Sequence, residues 1–161
     1  MIDAKDSGEA AGLVEVEAPR TCGNCAVCCT LIGVGALAKP PKQKCDNASK
    51  DGCRIYEDRP DGCRTFSCLW LAVPQFGQAR DRPDRLGLMF DETVSDEFTA
   101  KFGPHALVAR EAWRGSSKTR QAIRQLWTLR RDGVTVLLLR WHGAPVVLLP
   151  VAVRLLPKAS S

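Results

Sequence analysis

Apolar positions are spread unevenly along this chain, and most of the regular patterning lies in its second half. Leu86 to Phe90 is a short apolar run that predicts a strand. Ala106 to Trp113 fits a strand or a helix equally. From Thr119 to Arg131, Ile123, Leu126 and Trp127 recur at three- and four-residue spacing, with Arg120, Arg124, Arg130 and Arg131 elsewhere. That period predicts an amphipathic helix, capped by Ser116 or Ser117 and ended by Gly133. Val134–Trp141 and Val146–Leu149 predict two strands around the turn His142-Gly143-Ala144-Pro145. Alternation is poor in Leu137-Leu138-Leu139, so this strand is expected to be covered on both faces. The expected packing sets Ile123, Leu126 and Trp127 against the hairpin and turns Arg120, Arg124 and Arg131 to solvent.

The first half has no such rhythm. Residues 71–85, with Pro74, Gly77, Pro83 and several charges, predict a linker. Residues 20–70 are interrupted by Lys39-Pro40-Pro41-Lys42, which blocks regular helix there. Residues 1–19 set five acids against one lysine and predict a flexible acidic arm, with a short edge strand within Gly12–Glu17. Residues 86–161 form the α+β region. The expected fold class is small α+β: a metal-stabilised cysteine-rich module followed by a helix with antiparallel strands.

Composition changes this picture through one residue type. The apolar share, 45%, is ordinary, but all eight cysteines fall between Cys22 and Cys68. They open as Cys22-x-x-Cys25-x-x-Cys28-Cys29 and continue through Cys45, Cys53, Cys63 and Cys68. Thiols at this density and spacing hold a soft metal or form disulfides. The first residues lack a basic flank before an apolar core, so no signal peptide is expected. Trp141–Val153 is too short and too broken to cross a bilayer. Both features point to a cytoplasmic protein without membrane partners. Thiols stay reduced there, and metal ligation is favoured over disulfides.

On a helix, Cys22, Cys25 and Cys29 would share one face; in a knuckle loop, the CxxC pair alone would flank a metal. In either case Cys28 and Cys29 diverge, because adjacent side chains point apart. One of them is therefore expected to serve a second metal, bridge two metals, or stay free. Eight thiolates suffice for two tetrahedral four-cysteine sites, or for one larger cluster with spare thiols. A zinc ion and a [4Fe–4S]²⁺ core each keep two negative charges once four thiolates bind. Arg20, Lys39, Lys42, Lys44, Arg54, Arg59 and Arg64 can offset either. The opening C-x₂-C-x₂-C is similar to that of bacterial ferredoxins, but Cys29 follows Cys28 directly and the expected proline is missing. Asp51-Gly52-Cys53-Arg54 and Asp61-Gly62-Cys63-Arg64 predict two turns that aim N–H groups at the following sulfur. Ile55, Tyr56, Phe66 and Leu69-Trp70-Leu71 are candidates for a dry wall around the site. Arg59, held extended before Pro60, is placed to reach a carboxylate or a thiolate.

The chain resembles the CxxCxxCC cysteine-cluster family, described as a zinc- or iron-chelating domain and sometimes as an iron–sulfur protein. The resemblance runs through Cys22–Cys29, Cys45 and Cys53-Arg54-Ile55-Tyr56-Glu57-Asp58-Arg59-Pro60-Asp61-Gly62-Cys63-Arg64-Thr65-Phe66-Ser67-Cys68. It implies metal binding at these cysteines and no settled reaction. The expected function is a cytosolic metal-binding protein holding zinc or iron, with an iron–sulfur cluster among the cofactor options. Two rivals stand beside it: an iron–sulfur electron-transfer or redox protein, and a nucleic-acid-binding zinc module. Net charge is +5 and concentrated after residue 105, which suits an acidic protein partner or a nucleic acid. The cysteine region itself is nearly neutral, which argues against nucleic acid. His105 and His142 are weak ligand candidates. Ser116-Ser117-Lys118 precedes a helix but lacks a phosphate-loop context. No clear general base, nucleophile or cofactor loop lies beside the thiols, so catalysis has no sequence signature.

Overall fold

A computed structural model describes residues 20–92 and 95–151; the acidic arm and its expected edge strand lie outside the described residues. The fold is small and mixed, with six helices and two sheets among these residues. The larger sheet runs β3 (Leu88–Asp91), β4 (Ala106–Glu111), β5 (Thr135–Leu139) and β6 (Val146–Leu148), in that spatial order. β3 and β4 are antiparallel, β4 and β5 parallel, β5 and β6 antiparallel. Ala106–Glu111, ambiguous in sequence, is thus a strand. A parallel pair needs a crossover, and the crossover here is the helix α6 (Arg120–Arg131). The expected hairpin of β5 and β6 is present, but it forms only half of a mixed sheet.

Register explains the core. Phe90 stands opposite Ala109, Ala109 opposite Leu138, and Leu138 opposite Val146, so one row crosses all four strands. With Leu88 and Val136 on the same face, this row meets Ala122, Leu126 and Leu129 of α6. The helix therefore buries a stripe turned away from the one expected. Leu126 is buried as expected, whereas Ile123 and Trp127 are 54% and 50% exposed. Ala122 has the smallest side chain of the stripe and lets the helix lie close to the sheet. Arg120, Arg124 and Arg131 do face solvent. In β5, Val136 and Leu138 are buried, while Leu137 and Leu139 on the opposite face are half-covered.

The N-cap of α6 is Thr119, whose hydroxyl accepts from the Ala122 N–H at 3.2 Å, and not Ser116 or Ser117. Those two serines form a preceding 3₁₀ turn and are used elsewhere. Ser116 Oγ donates to the Gly87 carbonyl at 2.6 Å, and Ser117 donates through N–H and hydroxyl to Glu111 Oε1. Gly133 has positive φ and follows the helix end, as its position predicted.

Residues 71–85 carry structure of their own. They contain the end of α3 (Leu69–Ala72), a 3₁₀ turn at Ala79–Asp81 and most of α4 (Pro83–Leu86). Phe76 meets Phe90 edge-on at 5.2 Å, and Asp81 is buried, its carboxylate accepting from the Gln78 N–H. α4 ends at Gly87, where φ is +82° and an added Cβ would stand 2.8 Å from the Ser116 Cβ. No described helix is long and apolar enough to cross a membrane.

Candidate metal centre

The cysteine region is built from short pieces. The Cys25 N–H donates to the Cys22 carbonyl at 2.9 Å, so the CxxC pair closes a tight turn. Helix starts only at α1 (Val27–Leu31), so Cys22 and Cys25 sit in the knuckle form of the two weighed from sequence. Cys28 and Cys29 lie on α1. The Cys45 N–H donates to the Cys29 carbonyl, and the Cys45 carbonyl accepts from Ala48. Ala48 then pairs with Cys53 in the small hairpin of β1 (Ala48–Ser49) and β2 (Gly52–Cys53). Cys63 lies in the single helical turn α2 (Asp61–Arg64), and Cys68 is the N-cap of α3.

The two Asp-Gly-Cys-Arg segments therefore differ. The first enters β2 through Gly52, with φ +122°. An added Cβ there would stand 2.9 Å from the Gly23 carbonyl oxygen, so the hairpin lies directly on the CxxC turn. The second is helical from Asp61 onward, and Gly62 has no positive φ. Equal spacing in sequence concealed unequal backbones, because Pro60 ahead of Asp61 suits a helix start.

Seven cysteines, all except Cys68, line one cavity of ≈ 750 Å³ counted to its open mouth. Ile32, Val34, Leu37, Ile55, Tyr56 and Phe66 supply apolar wall, and Lys39 and Arg59 supply positive charge. A smaller neighbouring space is lined by Cys22, Cys25, Cys28 and Cys68 with Val27, Trp70, Leu71, Pro83 and Met89. Each sulfur is partly buried. Among the described residues, no three Cys, His, Asp or Glu side chains are drawn together at metal-ligand spacing. His105 and His142 are both exposed.

Burial raises the pKa of the Cys22, Cys25, Cys63 and Cys68 thiols. Local groups oppose it: Arg59 and Arg82 at Cys22, the N–H groups of Val27 and Asp84 at Cys25, and those of Leu71 and Trp70 at Cys68. The Cys28 thiol donates toward the Cys29 sulfur, which holds Cys28 protonated and favours the Cys29 thiolate. Lys39 and Arg59 favour that thiolate further. These are the surroundings a metal–thiolate centre needs: N–H donors and cations near sulfur, behind apolar walls. The donor set fits a tetrahedral thiophilic ion, although the sulfurs have not closed on one point.

The basic residues expected to offset the centre mostly bond to backbone carbonyls, which carry no sequence signal. Lys39 is buried and caps α1, its Nζ donating to the carbonyls of Thr30, Ile32 and Pro40. Arg20 lies over the Trp70 ring and donates to the carbonyls of Trp70, Pro74, Phe76 and Gly77. Arg54 donates to Asp46, and Arg64 to Arg59 and Glu57, again at carbonyls. Lys42 reaches the carbonyls of Arg140 and Trp141, tying the cysteine region to the end of β5. Arg59 stacks on Tyr56 with its guanidinium 3.6 Å from the ring centre and donates to the Tyr56 carbonyl. Arg82, unnoticed in sequence, pairs with Asp84 at 2.6 Å and donates to Asn24 inside the CxxC turn.

Comparison with protein-family models, with curated proteins and with solved structures finds no match to this chain.

Proposed function

We propose that this chain is a metal-binding protein that holds zinc or iron through its cysteine cluster, for structure, sequestration or delivery. The observation that carries this reading is the convergence of seven cysteines, from five separate short segments, on one apolar-walled cavity. Free cysteines have no need to converge; a cavity bordered by seven of them suits a thiophilic ion. Ligation requires the sulfurs to close inward, and the segments bearing Cys45, Cys53 and Cys63 have at most a few residues of regular structure. Among the described residues the cavity lining holds no His, Asp or Glu to act as a general base beside the thiols, which favours a binding role.

An iron–sulfur centre is the second reading, favoured by the apolar wall of Ile32, Val34, Leu37, Ile55 and Phe66, which would shield metal–sulfur bonds from water. Elemental analysis with a visible spectrum, on protein purified anaerobically under reducing, metal-replete conditions, tests both. A colourless protein with stoichiometric zinc supports the first reading, and a reducible brown chromophore supports the second. Less than one metal per chain overturns both.

A further inference from the structure

We infer that the eight cysteines divide into two adjacent four-sulfur centres, one formed by Cys22, Cys25, Cys28 and Cys68 and the other by Cys29, Cys45, Cys53 and Cys63. This division rests on the metal-binding reading and goes beyond it in fixing the number of centres and the ligands of each.

The cavities divide the sulfurs. Cys29, Cys45, Cys53 and Cys63 border the larger space and not the smaller one. Cys68 borders only the smaller one, and Cys22, Cys25 and Cys28 form the wall between the two. A tetrahedral site takes four ligands. The larger space has four sulfurs of its own, whereas Cys68 reaches four only by taking all three from the wall.

Backbone connections make the same division. Cys29, Cys45 and Cys53 are linked through the Cys45 N–H to the Cys29 carbonyl, the Ala48 N–H to the Cys45 carbonyl, and the Ala48–Cys53 pairing. Cys22 and Cys25 share one hydrogen-bonded turn. The two sets are joined covalently at the Cys28–Cys29 peptide on α1, and the Cys53 hairpin also rests on the CxxC turn. Successive helical residues diverge by about 100°, and of the two sulfurs only Cys28 also borders the smaller space. The doubled cysteine is then the shared wall of two centres, and neither thiol is spare.

The test uses cobalt(II) as probe, titrated anaerobically into reduced, metal-free full-length protein, with the sulfur-to-cobalt charge-transfer band as readout. Wild type is expected to saturate at two equivalents. Cys68→Ser and Cys63→Ser are each expected to lose one equivalent and keep the other, and the double variant to lose both. Cadmium NMR of the loaded wild type needs no substitution and should show two four-sulfur resonances. No cobalt uptake by wild type would overturn the metal-binding reading itself. Uptake of one equivalent, or loss of all binding from either single variant in protein whose cadmium spectrum shows one resonance, would overturn the division and leave that reading standing.

Discussion

The sheet half and the cysteine half of this molecule are stabilised by different means. In residues 86–139, Leu86, Leu88, Met89, Phe90, Val108, Ala109, Ala122 and Val136 are almost wholly buried, and the row through Phe90, Ala109 and Leu138 packs on α6. In residues 20–68 only Leu31, Lys39 and Ala48 are buried, and one of those is a lysine. The hydrophobic effect, about 25 cal/mol per Å² of buried apolar surface, therefore acts on the first and hardly on the second. Charged side chains bonded to loop carbonyls hold the cysteine half in shape. Such bonds contribute only about 1.5–3 kcal/mol each. A segment with so small a core ordinarily needs disulfides or a metal to fold firmly.

Removing metal should break the comparison most visibly. After exhaustive chelation under reducing conditions, amide exchange across residues 20–68 is expected to speed up to near-unfolded rates while β3–β6 stay protected. Unchanged protection in the cysteine half after complete removal would show that its carbonyl-bonded frame suffices alone.

The converse substitution attacks the sheet. Phe90→Ala removes the ring that meets Phe76 and should cost about 3–5 kcal/mol, read as a lower denaturation midpoint of the sheet. Metal content per folded chain should not change. An equal loss of metal would mean that the two halves fold as one unit.

Glu111 sharpens the comparison through pH, because it is a charge held inside the apolar half. Burial raises its pKa, but bonds from the Ser117 hydroxyl and the Trp141 and Ser117 N–H groups outweigh burial and leave it below its ordinary 4.5. A carboxyl whose folded pKa is depressed stabilises fully above its unfolded value, and that stability fades as pH falls through the folded one. Glu111→Gln should therefore cost about 1–3 kcal/mol at neutral pH and shrink the difference from wild type below about pH 4.5. A constant difference across that range would exclude Glu111 as a source of acid sensitivity.

Legibility from sequence follows the same division. Strand and helix positions after residue 86 were readable because burial imposes a period on the chain. Several details escaped that reading. Parallel pairing of β4 with β5 is a property of connection, which no residue near Ala106 or Thr135 announces. Thr119 took the cap because the chain passes through a 3₁₀ turn at Ser116–Lys118 and turns α-helical two residues later than a Ser117 cap would set it. In the cysteine half, spacing pointed to the residues but not to their geometry. Cys68 stood last in the cysteine pattern, close after Cys63, yet it faces a different cavity, because α3 begins at that point. The carbonyls capped by Arg20, Lys39 and Arg64 were invisible, since free carbonyls have no sequence signature.

The smallest expected effect tests the helix face that sequence placed wrongly. Ile123, Leu126 and Trp127 all satisfy helical spacing, and larger apolar residues are the natural candidates for the interior. The sheet instead selects Ala122, Leu126 and Leu129, because α6 must lie close over a row that already contains Phe90 and Leu138. Trp127 is left half-exposed, its ring 5.3 Å from the Arg131 guanidinium. A cation–π contact at an exposed site contributes about 0.5–1 kcal/mol. Trp127→Gln should therefore cost about 1 kcal/mol or less, against about 2–5 kcal/mol for Leu126→Ala on the buried stripe. Urea denaturation of both variants reads the difference directly. If the tryptophan variant loses as much as the leucine variant, α6 sits rotated by about one residue, and Ile123 and Trp127 return to the core.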